Sequence, residues 1–84
     1  MIHEVKILPM YFQDVWDGKK TFEVRKNDRG YQPGDTIILK EWDGKKFTGS
    51  AIAKRICYML TDTIDGIEDG YCVLGLADIL YGET

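Results

Sequence analysis

Histidine is almost missing from this chain. His3 is the single one, which excludes any multi-histidine metal site. Cysteine is scarce too: Cys57 and Cys72 have no further Cys or His at metal-ligand spacing, so both read as buried thiols rather than metal ligands or a disulfide. No metal and no cofactor motif is implied. No apolar run approaches the roughly 18 residues that would cross a bilayer. The opening Met1-Ile2-His3-Glu4-Val5-Lys6 lacks the basic flank and apolar stretch of a signal peptide, so a cytoplasmic protein without membrane contact is expected. Repeats, low-complexity runs and linkers are absent as well. Eighty-four residues suffice for one modest core, and a single domain over residues 1–84 follows.

Positive charge is missing from the last third. Residues 61–84 hold Asp62, Asp65, Glu68, Asp69, Asp78 and Glu83 and no Lys or Arg. Residues 19–29, in contrast, set Lys19, Lys20, Arg25, Lys26 and Arg29 against Glu23 and Asp28, a local balance of +3 that leaves −6 to the rest of a chain of net charge −3. Such a balance argues against a protein that coats nucleic acid generally, because phosphate affinity comes mostly from clustered cations. It does leave one small basic zone.

What is present reads as strands. Glu4 to Leu8 alternates and stops at Pro9, which cannot donate to a ladder. From Pro9 the spacing of Tyr11, Phe12, Val15 and Trp16 predicts a two-turn helix with these four residues in the core and Gly18 as its left-handed stop. Thr21 to Lys26 forms a second strand, Thr36 to Trp42 a third, and Asp43-Gly44 a hairpin that Lys45-Lys46 widen beyond two residues. The return strand starts near Phe47 or Ser50 and runs to Leu60, a length that requires a bend. Thr61 to Gly70 reads as a loop with one helical turn at Ile64 to Glu68, Tyr71 to Ala77 as a last apolar strand, and Asp78 to Thr84 as a short docked tail. About five strands and one early helix give an α+β or mainly β architecture, a small barrel with the helix plugging one end.

The informative chemistry lies in Gly18-Lys19-Lys20-Thr21-Phe22-Glu23-Val24-Arg25 and the residues after it. With Phe22 and Val24 facing the core, Thr21, Glu23 and Arg25 share the opposite face at strand period two. Glu23 and Arg25 then either hold a polar ligand together or form an ordinary solvated couple. Trp42 similarly reads as a stacking aromatic or as plain core.

The same run fits Gly-x-Lys-x-x-Glu-x-Arg, the signature of the ASCH domains of the PUA-like superfamily. With His3-Glu4-Val5-Lys6-Ile7-Leu8, Asn27-Asp28-Arg29, Gly34-Asp35, Leu39-Lys40-Glu41-Trp42, Thr48-Gly49 and Gly70-Tyr71-Cys72-Val73-Leu74-Gly75, nearly the whole chain resembles the small bacterial and phage group labelled DUF3850. The resemblance implies a PUA-like β-barrel with a cleft beside the signature strand. It also implies recognition of RNA, as a short single strand or loop, or of a modified nucleoside. Lys20, Glu23, Arg25, Lys26 and Arg29 are then the ligand-contacting polar residues, with Tyr31 or Trp42 stacking on a base. One ASCH group hydrolyses the acetyl amide of N4-acetylcytidine with a Lys, a Thr three positions later and a late Glu. Here Lys20 and Glu23 would be the catalytic pair, Glu23 stands in the Thr place, and Glu68 is the candidate for the late Glu. A third possibility is a structural Lys20-Glu23-Arg25 network that closes the barrel of a protein-interaction module with no nucleic-acid ligand.

Overall fold

The computed structural model describes residues 1–79. Strand β1 spans Ile2–Ile7, helix α1 Pro9–Trp16, and strands β2 to β5 Phe22–Lys26, Thr36–Trp42, Phe47–Thr61 and Tyr71–Ala77. They form one mixed sheet in the order β1-β3-β4-β5-β2, with β1 parallel to β3 and every other pair antiparallel. The sheet curls into a half-barrel. The five strands and single early helix expected from the sequence are all there.

Alternation builds the core from inward positions. His3, Val5 and Ile7 of β1 lie beside Ile37 and Leu39 of β3, while Ile56 of β4 faces Leu76 of β5 across the register. Helix α1 starts where Leu8 is extended and Pro9 fills the first turn, the Leu8 carbonyl accepting from the amides of Tyr11 and Phe12 at 3.1 and 2.9 Å. It ends at Asp17, and Gly18 at φ +76° turns the chain away. Because β1 and β2 are opposite edges of the sheet, this short helix carries the chain from one edge to the other.

The helix buries only Phe12 and Val15. Tyr11 and Trp16, expected in the core, are exposed, Trp16 by 60%. Eight residues present one narrow i, i+3 stripe, so the two aromatics fall on its flanks, with Trp16 stacked on Phe12 at 6.0 Å.

Strand β4 pairs first with β3 and then with β5. At about 3.3 Å per residue its 15 residues would run about 50 Å if straight. The described chain is 39 Å in its longest dimension, so the strand bends. The register slips between Ile56 and Tyr58 against β5, and opposite that slip stands Gly75. A Cβ there would lie 3.3 Å from Tyr58 Cβ and 3.4 Å from Cys57 Sγ. The β3–β4 loop is wider than two residues, as expected: Asp43 N–H donates to the Lys46 carbonyl, and Asp43 Oδ1 accepts from the amides of Lys45 and Lys46.

Two further expectations change. Cys72 is buried but Cys57 is exposed, because Ile56 takes the inward position beside it; both thiols are free. No helical turn forms over Ile64 to Glu68. Separate turns close Thr61 to Ile64, Ile64 to Ile67 and Glu68 to Tyr71, and Gly66 at φ +99° interrupts any helical run. Of the docked tail expected over Asp78 to Thr84, residues 80–84 lie outside the described residues, while Asp78 pairs with Lys54 at 2.5 Å.

Candidate ligand cleft between the edge strands

Strand β2 alternates as the sequence requires, with its faces the other way round. Glu23 is 4% exposed, whereas Phe22 and Val24, expected inside, are 47% and 59% exposed. The register decides the phase: Glu23 stands opposite Leu74 and Arg25 opposite Cys72, both fully buried inward residues of β5. Only Glu23 and Arg25 can then face the interior of the half-barrel.

A carboxylate taken out of water must be paired. Glu23 has two cations. Its Oε1 accepts from Lys20 Nζ, and its Oε2 accepts from Arg25 Nε at 2.9 Å. Lys20 Nζ also donates to the Phe22 carbonyl at 2.7 Å, and an Arg25 terminal nitrogen donates to the Lys6 carbonyl. Lys6 belongs to β1, so one guanidinium reaches from one edge strand to the other, where no backbone ladder joins them.

Along this seam lies a cleft of about 410 Å³. Its polar floor is Lys20, Glu23 and Arg25, and its walls are Lys6, Ile7, Leu8, Tyr11 and Val24. Lys20 Nζ sits 5.6 Å from the Tyr11 ring and 5.3 Å from that of Phe22. A second hollow of about 380 Å³ adjoins it and shares Lys6 and Arg25 as a wall. Glu4, Val5, Arg29, Lys40 and Phe47 complete that second hollow.

The structure brings Lys20, Glu23 and Arg25 together and sets Arg29 in the neighbouring hollow. Lys26 follows Phe22 and Val24 on the outer phase of β2 and lines neither space. Trp42 is half-buried under Lys6 Nζ at 4.0 Å, edge-on to Phe47. Tyr31 cannot stack on a ligand, because it is 1% exposed with its ring against His3 at 4.8 Å. Burial pushes its phenol above the ordinary range, with Arg25 and Arg29 opposing the rise. Glu68 is exposed in the β4–β5 loop and lines neither space.

Lys6, Tyr11 and Lys40 were not singled out from the sequence. Tyr11 carried a signal, an aromatic on the flank of a helix too short to bury two stripes. Lys6 and Lys40 carried none, since they meet Arg25 and Arg29 only through the β1–β3 pairing and the curl of the sheet.

His3 lines neither space. It is buried, and its Nε2 lies 2.8 Å from Asp35 Oδ2. His3 and the Met1 amine hold the Asp35 carboxyl below the usual carboxylate range. Among the described residues no group of three His, Cys, Asp or Glu side chains is placed to hold a metal ion. No helix among the described residues is long and apolar enough to cross a membrane.

The model of a domain of unknown function, DUF3850, matches residues 2–76, which include every residue of the cleft and of the hollow beside it. This chain belongs to the DUF3850 family. The DUF3850 chain is also 50% identical over 68 residues to an uncharacterized 12.9 kDa protein encoded in the GpA 3′ region of Escherichia phage P2. That match covers 81% of this chain and 62% of the phage protein, so the chain spans less than two thirds of its relative's length.

Proposed function

We propose that this DUF3850 chain recognises a nucleoside, presented by single-stranded RNA or free and modified, in the cleft between β1 and β2. One observation carries the reading: Lys20, Glu23 and Arg25 converge on an open space of about 410 Å³ instead of vanishing into a closed core. A base edge offers donors and acceptors side by side. Lys20 and Arg25 supply donors there and Glu23 the acceptor, while Leu8, Tyr11 and Val24 give the apolar walls that a flat ring needs. The ASCH resemblance, which sets a cleft beside the signature strand, supports the same place.

Hydrolysis of an acetylated cytosine is the weaker reading. Lys20 is committed to Glu23 and to the Phe22 carbonyl, and Glu23, standing where the hydrolytic group has its Thr, brings no hydroxyl to the amide. The test is titration of nucleosides and of short single-stranded RNA, followed by amide shifts. Arg25→Ala is expected to weaken binding about tenfold or more, as loss of charge-assisted hydrogen bonds does, and Lys26→Ala to leave it nearly unchanged. Equal effects of the two variants would place binding elsewhere. No binding of any nucleoside or RNA would favour a protein partner.

A further inference from the structure

The hollow beside the cleft has no part in holding a base, yet it gathers Lys6, Arg25, Arg29 and Lys40 against the single carboxylate of Glu4. Four of the 11 cations of an acidic chain surround one space of about 380 Å³. Apart from the Arg25–Glu23 pair, their existing partners are weak or lacking. Lys40 lies 3.4 Å from Glu4 in an open pair, 38% and 62% exposed, of the kind worth little in water. Lys6 and Arg29 have no carboxylate partner among the described residues; Lys6 Nζ rests over Trp42 instead. Arg25 uses Nε and one terminal nitrogen, leaving its other terminal nitrogen without a partner among the described residues. Four cations that line one space and are set against few carboxylates repel one another, and an anion among them relieves that repulsion.

We infer that this hollow is a phosphate subsite, and that the chain takes a nucleotide whose base lies in the cleft and whose phosphate lies among Lys6, Arg25, Arg29 and Lys40. The inference rests on the nucleoside reading of the cleft. Phosphate fits better than a carboxylate, because a phosphate monoester carries nearly two negative charges and accepts from several donors at once. Lys6 and Arg25 wall both spaces, so base and phosphate sit on the two sides of the same pair of side chains.

The experiment compares nucleosides with their 5′- and 3′-monophosphates and with dinucleotides on the full chain, alongside inorganic phosphate alone. A monophosphate should bind about tenfold tighter than its nucleoside. That gain should fall with added salt and disappear in Arg29→Gln/Lys40→Gln, while nucleoside affinity stays the same. Neither residue belongs to the buried core, and an unchanged thermal unfolding midpoint of the double variant checks that the fold is retained. Inorganic phosphate should perturb Arg29 and Lys40 resonances and compete with the monophosphate but not with the nucleoside. Preference for one monophosphate or for the dinucleotide tells whether the subsite takes a terminal or an internal phosphate. Equal affinity of nucleoside and monophosphate overturns the subsite and leaves the cleft reading standing. Saturable phosphate binding at Arg29 and Lys40 without any nucleoside binding does the reverse, and absence of both overturns both.

Discussion

Glu23 is the residue on which the seam depends. It is buried, it serves two cations, and neither cation has another carboxylate within reach among the described residues. Glu23→Ala should therefore destabilise the chain by about 2–4 kcal/mol in urea unfolding. That lies toward the lower side of the roughly 3–5 kcal/mol for breaking a fully buried pair, since Lys20 and Arg25 keep some access to water. An unchanged midpoint would mean that the two cations simply turn outward. The spacing of Lys20, Glu23 and Arg25 was legible in the sequence, but the face they occupy was not. Period two fixes which residues travel together, and it leaves the phase to the neighbouring strand. Phe22 and Val24 argued for one phase; Leu74 and Cys72 across the register impose the other.

Asp35 gives a pH dependence at the same scale. His3 and the Met1 amine hold its carboxyl below the usual 3.8, so the folded state binds this proton less readily than the unfolded chain does. The stabilisation is complete above the ordinary carboxylate range and is lost as pH falls through the lowered native value. Urea midpoints measured from pH 7 downward should show a falling acid limb that is shallower in Asp35→Asn. Matching limbs would remove Asp35 from the account of acid sensitivity.

Among the elements, β4 sets the curvature. Its length announced a bend in the sequence, but the place of the bend depends on Gly75 in a different strand, which no local pattern connects to Tyr58. A valine at position 75 would bring its Cβ within 3.3 Å of Tyr58 Cβ and push its methyl groups further into the slip. Gly75→Val is expected to cost about 1–3 kcal/mol by overpacking, despite the better strand propensity of valine, and Gly75→Ala less. Thermal unfolding of the pair measures this, and a stabilised Gly75→Val would show that the slip has room. The helix was legible in extent and misread in its faces, because an apolar spacing marks candidates for burial without saying how wide a stripe the sheet can cover.

At the scale of the whole molecule, the half-barrel ends in two edge strands, β1 and β2, linked through the Arg25 side chain and not by a backbone ladder. Unpaired edges are templates on which another chain can extend a sheet, and proteins blunt them with charge. Arg25 does this by occupying the Lys6 carbonyl, while Lys20 covers that of Phe22. The network that shapes the cleft is thus also a guard against self-association, and the two duties are coupled. Arg25→Ala should open the seam to a strand from a second molecule, seen as a mass that grows with concentration in sedimentation while the wild type stays constant. A ligand seated between the edges would keep that variant apart, so the nucleoside proposed for the cleft should also act as its solubiliser.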